Sequence, residues 1–299
     1  MARATVSLVL AVLASSAYGL NTLVYGPGTE ALRLLTAKLA AQAGYGASLY
    51  AGEEGKLQAQ WRKLMYGAEY AEGGVDAPGC ARVLATVEDL GASLSGADAL
   101  VIVCDNAPLQ DGVASTLFGY SGEALKRLVL VSKMGVTRAK PAGPFGIGGA
   151  DAALQANEKS VCELAASKGI EVSIVRVGTL KGGGPGEPDD ESAGGYGLAK
   201  SYYDSMMDLT GFLCAQGYDK FTLGAKVQPK DPIDFANPII RAGRGTSFDA
   251  FDDETSAIVA AGAVVHALGH PSAVELSVSA AEGKAPPTEA EWSQIFSGL

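Results

Sequence analysis

The chain has 299 residues, with 23 lysines and arginines against 33 aspartates and glutamates, a formal net charge of −10. Its 47% hydrophobic and 19% charged residues supply a sizeable core and exclude wholesale disorder. The acidic balance, with no basic stripe, excludes an ordinary nucleic-acid binder. The length fits one large domain or two small ones. Four cysteines (Cys80, Cys104, Cys162 and Cys214) stand far apart with no C-x-x-C pair, which signals neither a disulfide framework nor a zinc site. The two histidines, His266 and His270, are four residues apart with no third ligand nearby in the sequence. They read as a helix end, and no metal is expected.

Residues 1–19 read as a signal or targeting peptide. Arg3 supplies the positive charge, Leu8–Ala14 the apolar run, and Ala17-Tyr18-Gly19 the small residues of a cleavage site. A bilayer span needs about 20 apolar residues, and this run is too short. The body, residues 20–299, has no N-x-S/T acceptor and no paired cysteines, so it does not look secreted. Import into the plastid of an alga with complex plastids, where a signal peptide is the first step, would reconcile leader and body. The plastid and the secretory route both stay open.

Asn21–Tyr25 reads as a buried strand, followed by Gly26-Pro27-Gly28-Thr29 and an amphipathic helix from Glu30 to Gly44. Ala47–Ala51 is a second strand and Glu54–Met65 a helix. Ala68–Gly79 is a glycine-rich loop, Arg82–Val87 a third strand, Glu88–Leu94 a short helix and Ala99–Cys104 a fourth strand. Arg127–Ser132 is a fifth strand with a continuous apolar run, Leu128–Val131, as a strand covered on both faces should have. A long helix over Ala150–Lys168 leads to a sixth strand, Glu171–Val177. Strands alternating with helices at this spacing predict βαβ units and a doubly wound parallel sheet of Rossmann type. Lys181–Gly197 reads as a Gly-, Pro- and acid-rich loop. Beyond it Leu198–Cys214 reads as helix, Asp219–Asp249 as irregular and Glu254–Leu268 as helix. Val274–Ala280 is a last strand, and Thr288–Phe296 a terminal helix after Pro286-Pro287. The expected organisation is one domain over 20–299, in which 181–299 forms a C-terminal elaboration.

Gly26-Pro27-Gly28-Thr29-Glu30-Ala31 satisfies G-x-G-x-x-A between a strand and a helix. The first glycine permits the turn, the second lets the backbone approach a pyrophosphate, and Ala31 lets helix and strand pack closely. The helix N-terminus then attracts the anion. This makes Gly26, Gly28, Thr29 and Ala31 candidate cofactor-binding residues, while a tight turn that holds no ligand stays open. Glu30 lowers the attraction for phosphate unless its carboxylate points away. After the second strand, Glu53 is placed to hydrogen-bond a ribose 2′-hydroxyl, which would favour NAD. A solvated acidic helix start is the alternative there. Lys56 is the one nearby cation for a 2′-phosphate, so NADP and NAD both stay open.

These residues resemble the atypical short-chain dehydrogenase/reductases of the NAD(P)-binding, NmrA-like kind. LVYGPGTEA looks like the family's phosphate turn, and Ser95–Ile102 is similar to the start of its fourth strand. Val129–Val136 is similar to its fifth strand. Lys159 and Glu163 on a helix, followed by a strand ending Arg176-Val177-Gly178, resemble its second half, and Glu291-Trp292 with Ile295-Phe296 resembles plastid and algal members. Reducing members use a Ser, a Tyr and a Lys, the Tyr four residues before the Lys. The resemblance places Ser132 and Lys159 in the catalytic positions and Lys159 beside the nicotinamide ribose. It puts Gln155 where the proton-donating Tyr belongs, and Tyr196, Tyr202 or Tyr203 could substitute from beyond the loop. The residues also carry plain readings: Lys159 and Glu163 are an i, i+4 surface pair, Arg176 is a structural partner, and Ser132 satisfies a strand end.

The expected function is therefore NAD(P) binding, either as a reductase of a small organic substrate or as a non-catalytic sensor, assembly or scaffold protein. A Rossmann scaffold without nucleotide fits Gly28 and Ala31 less well. The expected partners are a dinucleotide and an unidentified small molecule or protein, with no nucleic acid and no membrane span in the mature chain.

Overall fold

Two sets of apolar side chains alternate along the same strands and direct helices to both faces of one sheet. The computed structural model describes residues 19–52, 58–67, 79–139, 149–184, 195–206, 218–231 and 254–299. Residues 1–18 of the expected targeting peptide, Glu53 and Cys214 lie outside the described residues. The strands are β1 (Asn21–Tyr25), β2 (Gly46–Tyr50), β3 (Arg82–Leu84), β4 (Ala99–Val103), β5 (Arg127–Lys133) and β6 (Glu171–Val177). They continue with β7 (Thr179–Lys181), β8 (Gly224–Pro229), β9 (Glu254–Ser256) and β10 (Glu275–Ala281). The helices are α1 (Glu30–Gln42), α2 (Gln58–Tyr66), α3 (Val87–Ser95), α4 (Val113–Tyr120) and α5 (Gly149–Ser167), then α6 (Lys200–Met206), α7 (Ala257–Gly269) and α8 (Glu289–Ser297).

The main sheet has the order β3-β2-β1-β4-β5-β6-β10-β8, parallel except for β8, which runs antiparallel to β10. The run 3-2-1-4-5-6 is the doubly wound Rossmann order, with its switch point between β1 and β4. Val101, Val103, Val129, Val131, Val175 and Val177 face one core, shared with α1, α2, α7 and α8. Leu100, Ile102, Leu128 and Leu130 face the other, shared with α3, α4 and α5. Period-2 alternation thus puts branched side chains on both faces of the central strands. Alanines 37, 40 and 41 of α1 and 260, 261, 263 and 267 of α7 are buried in the first core, and such small side chains let the two packed helices approach closely. No helix among the described residues is long and apolar enough to cross a membrane.

The last expected strand, read as Val274–Ala280, is β10 in the main sheet, so the C-terminal part completes the same layer. Two local expectations change, and one helix is added. Gly224–Pro229 lies in the stretch read as irregular and is an edge strand; with Gly and Pro at its ends it lacks a strong apolar signal. Glu254–Ser256 was expected to be helical but pairs with β7. The Thr255 hydroxyl accepts from the Gly178 N–H and donates to the Val278 carbonyl, fixing this segment as strand before α7 begins. The short helix α4 had no sequence expectation; it starts after Gly112, which adopts φ 81°.

Arg176 in β6 is 1% exposed. Its Nε and Nη2 donate to Glu158 of α5 at 3.2 and 2.6 Å, and its Nη1 donates to Glu275 of β10 at 2.8 Å. Burial alone works against the guanidinium charge. The hydrogen bonds and charges of Glu158 and Glu275 overcome it and raise the pKa above the ordinary arginine value. Removing one partner of such a buried pair leaves an uncompensated charge. Arg176→Ala is therefore expected to destabilise by about 3–5 kcal/mol in urea unfolding, and the double variant Arg176→Met/Glu158→Leu by distinctly less. Equal losses in both would refute this account of the clamp.

Candidate functional site

The site expected from a doubly wound sheet is the crevice at the carboxyl ends of β1 and β4. β1 ends at Tyr25, and Gly26 turns the chain with φ 138°. A Cβ on Gly26 would lie 2.2 Å from the Val103 carbonyl oxygen, and one on Gly28 would lie 2.3 Å from Asp105 Oδ1 and 2.7 Å from that carbonyl. The Gly28 N–H donates to the Val103 carbonyl at 2.9 Å. Both glycines are thus demanded by the close approach of the end of β4. Ala31 is buried in the first turn of α1.

Thr29 is the N-cap of α1, yet its side chain does not cap the helix. Its N–H donates to Asp105 Oδ1 at 2.8 Å and its hydroxyl to Asp105 Oδ2 at 2.5 Å. The Asn106 amide donates to the same Thr29 hydroxyl at 3.1 Å. Asp105 is buried and follows β4 by two residues, so a carboxylate of the chain sits at the start of α1, where the helix favours negative charge. Sequence reasoning missed Asp105 and Asn106. The available signal was the Asp-Asn pair directly after an apolar strand that neighbours the glycine turn. Tyr25 and Tyr50, at the ends of β1 and β2, stack with ring centroids 5.6 Å apart.

Ser132 is buried near the end of β5, in register with Arg176. Lys159 lies on the outer face of α5: its side chain is 76% exposed, with Nζ 3.9 Å from Glu163. Gln155 donates its amide to the Thr137 carbonyl at 2.8 Å. The α5 residue that reaches the end of β4 is Asn157, which accepts from the Leu109 N–H at 3.1 Å and hydrogen-bonds Cys104. Burial pushes the Cys104 thiol up to about 12, with the Asn157 bond opposing in part, so it stays a neutral thiol. The structure therefore brings Gly26, Gly28, Thr29 and Ala31 together with Asp105 and Asn106. It leaves Lys159 in its surface pair.

Two more carboxylates tie the loops along the same edge. Asp231 is buried and accepts from the N–H groups of Gly135 and Thr137 and from the Thr137 hydroxyl, at 2.8, 3.1 and 2.7 Å, holding the turn after β5. Asp219 Oδ2 accepts from the N–H groups of Gly183 and Gly184, each at 2.8 Å, after β7. Burial raises the Asp219 carboxyl to about 7, while those two N–H bonds pull it down in part. Among the described residues no three His, Cys, Asp or Glu side chains could hold a metal ion. A groove of ≈950 Å³ lined by Tyr45, His266, His270, Pro287 and Trp292 lies at the opposite, amino-terminal edge of the sheet, away from the crevice.

No family model and no curated protein matches the chain. Solved structures do. A protein described as an NAD-dependent epimerase/dehydratase from Bacillus halodurans has a TM-score of 0.51 and 15% identity, covering 94% of this chain and 100% of that one. A wide-type short-chain dehydrogenase/reductase from Veillonella parvula in complex with NADP has a TM-score of 0.46 and 11% identity, covering 89% and 98%. A UDP-N-acetylglucosamine 4-epimerase from Bacillus cereus has a TM-score of 0.41 and 13% identity, covering 94% and 84%. The fold shared with the Bacillus halodurans protein is the Rossmann type that the strand order defines.

The pH dependence of the Asp219 tie follows from its raised pKa. The folded state binds the proton more tightly than the unfolded chain, so this stability is fully present below about 4 and lost as pH rises through about 7. Thermal melts at pH 5 and pH 8 should show Asp219→Asn losing part of the wild-type dependence, with its relative stability greater at pH 8. An identical pH dependence in the two proteins would rule out this role for Asp219.

Proposed function

We propose that the protein binds a nicotinamide dinucleotide, NADP or NAD, in the crevice between the ends of β1 and β4. The observation that carries this reading is the Gly26–Thr29 turn, set at the switch point of a 3-2-1-4-5-6 sheet and leading straight into α1. The shape of the turn fits a dinucleotide. Its charge does not, because Asp105 already accepts from Thr29. The likeness to an NAD-dependent epimerase/dehydratase supports the same class at the level of fold. The narrower assignment to the atypical, NmrA-like branch rests on the resemblances at Lys159, Glu163 and Arg176-Val177-Gly178.

Binding without the usual Tyr–Lys proton relay that accompanies hydride transfer is the reading we favour over an ordinary reductase. The resemblance assigns Gln155 the position of the proton donor, and its amide donates to the Thr137 carbonyl. Lys159 is directed to solvent and Glu163. A reductase would need its proton from elsewhere and Lys159 released from that pair.

Thermal unfolding of the full chain with NADPH, NADP, NADH and NAD tests the binding. A ligand at 100 times its dissociation constant should stabilise the protein by about 2.7 kcal/mol. A shift with one redox pair is expected, and no shift with any of the four would sink the reading. Substitution of Gly28 is a poor test, because any side chain there displaces the end of β4. Lys159→Ala is expected to leave dinucleotide affinity within about twofold of wild type, as for an exposed pair worth little. A loss of about tenfold, about 1.4 kcal/mol, would instead place Lys159 at the ribose.

A further inference from the structure

We propose that Asp105 is a built-in competitor for the ligand's diphosphate, so that it sets the affinity of the turn for dinucleotides. This rests on the dinucleotide reading of the same crevice. A diphosphate at a Rossmann turn is held by backbone N–H groups at the start of the helix and by its positive end. Here the Gly28 N–H is committed to the Val103 carbonyl. The Thr29 N–H and hydroxyl are both committed to the Asp105 carboxylate, at 2.8 and 2.5 Å. Asn106 donates to that hydroxyl and supports the arrangement.

Asp105 therefore takes the donors and also places a buried negative charge against any phosphate that would use them. Glu30 adds a second carboxylate to the first turn of α1. A dinucleotide can occupy the turn only when Asp105 leaves Thr29, and an ionised carboxylate left nearby repels the phosphates. The close fit of Gly28 against Asp105 Oδ1, where a Cβ would stand 2.3 Å away, shows how little room the carboxylate has on that side. Asp105 is thus a specificity-determining residue. It holds diphosphate ligands to weak binding and leaves the crevice to ligands that bring enough binding energy from their other groups to displace it.

The test is isothermal titration of the full chain with NADPH, NADP, NADH and NAD, for the wild type, Asp105→Asn and Asp105→Ala. The Asn variant keeps an acceptor for the Thr29 N–H while removing the charge, so it preserves the local fold. The Ala variant frees the N–H as well. Melting of the ligand-free proteins confirms that both variants are folded. The expected result is a dissociation constant at least about tenfold lower in Asp105→Asn than in wild type for the preferred cofactor, from loss of like-charge repulsion. Wild-type binding that the variants match or weaken overturns the competitor role and makes Asp105 a support of the site, with the dinucleotide reading intact. No binding to any of the three proteins at millimolar ligand overturns both.

Discussion

A parallel sheet delivers each loop at its carboxyl edge with backbone N–H groups that the strands no longer satisfy, and each buried one requires an acceptor. In this protein carboxylates of the chain fill that need in three places. Asp105 serves the turn after β1, Asp231 the turn after β5, and Asp219 the glycines after β7. Each reaches its loop from a different part of the chain, so the edge is stitched by contacts between residues 35 to 96 positions apart. The crevice inherits its shape from these ties as much as from the strands beneath it.

The same device sets the electrostatics. N–H groups that hold an anion in a nucleotide-binding turn hold one equally well when it is a side chain, and the side chain is always present. Charge-assisted bonds of this kind are the stronger ones, and desolvation acts against them, as the raised pKa of Asp219 records. A buried cation meets the opposite problem. Lys38 of α1 donates to the Gly197 carbonyl at 2.5 Å, lies over the Tyr66 ring, and is drawn down to about 8 by burial. Arg176, with two carboxylates against it, keeps its charge more firmly than an ordinary arginine. Among the described residues, what separates the two basic groups is the presence of acidic partners more than the depth of burial.

The central layers were legible because β4 and β5 carry continuous apolar runs and β1 and β6 are rich in branched apolar residues, a pattern with few other uses in a chain of this charge. The glycine turn was legible by its spacing. Asp105 was not, because an Asp-Asn-Ala step after a strand is ordinary turn composition, and its partner Thr29 lies 76 residues earlier. The orientation of α5 was also hidden. One residue along a helix is about 100° around it, so the choice between Glu158 and Lys159 as the inward side chain turns on packing that the local sequence does not contain. Leu154, Val161 and Ala165 are the buried apolar residues of that helix. With that face inward, Glu158 meets Arg176 and Lys159 meets solvent. β8 escaped notice because an edge strand bounded by Gly and Pro has little apolar pattern to offer.

The G-x-G-x-x-A signature needs a second criterion before it speaks of a ligand. Gly26 and Gly28 would be required here with no nucleotide at all, since the end of β4 leaves no space for a Cβ at either position. Such a motif records that two backbones approach each other beside a helix start. Whether a phosphate is held there depends on which acceptor the first N–H of the helix start prefers, and that is decided by residues outside the motif. In this chain the deciding residue lies just after the neighbouring strand, β4. The affinity of the crevice is thus governed by the competition between a tethered carboxylate and a free diphosphate for the same donors at Thr29.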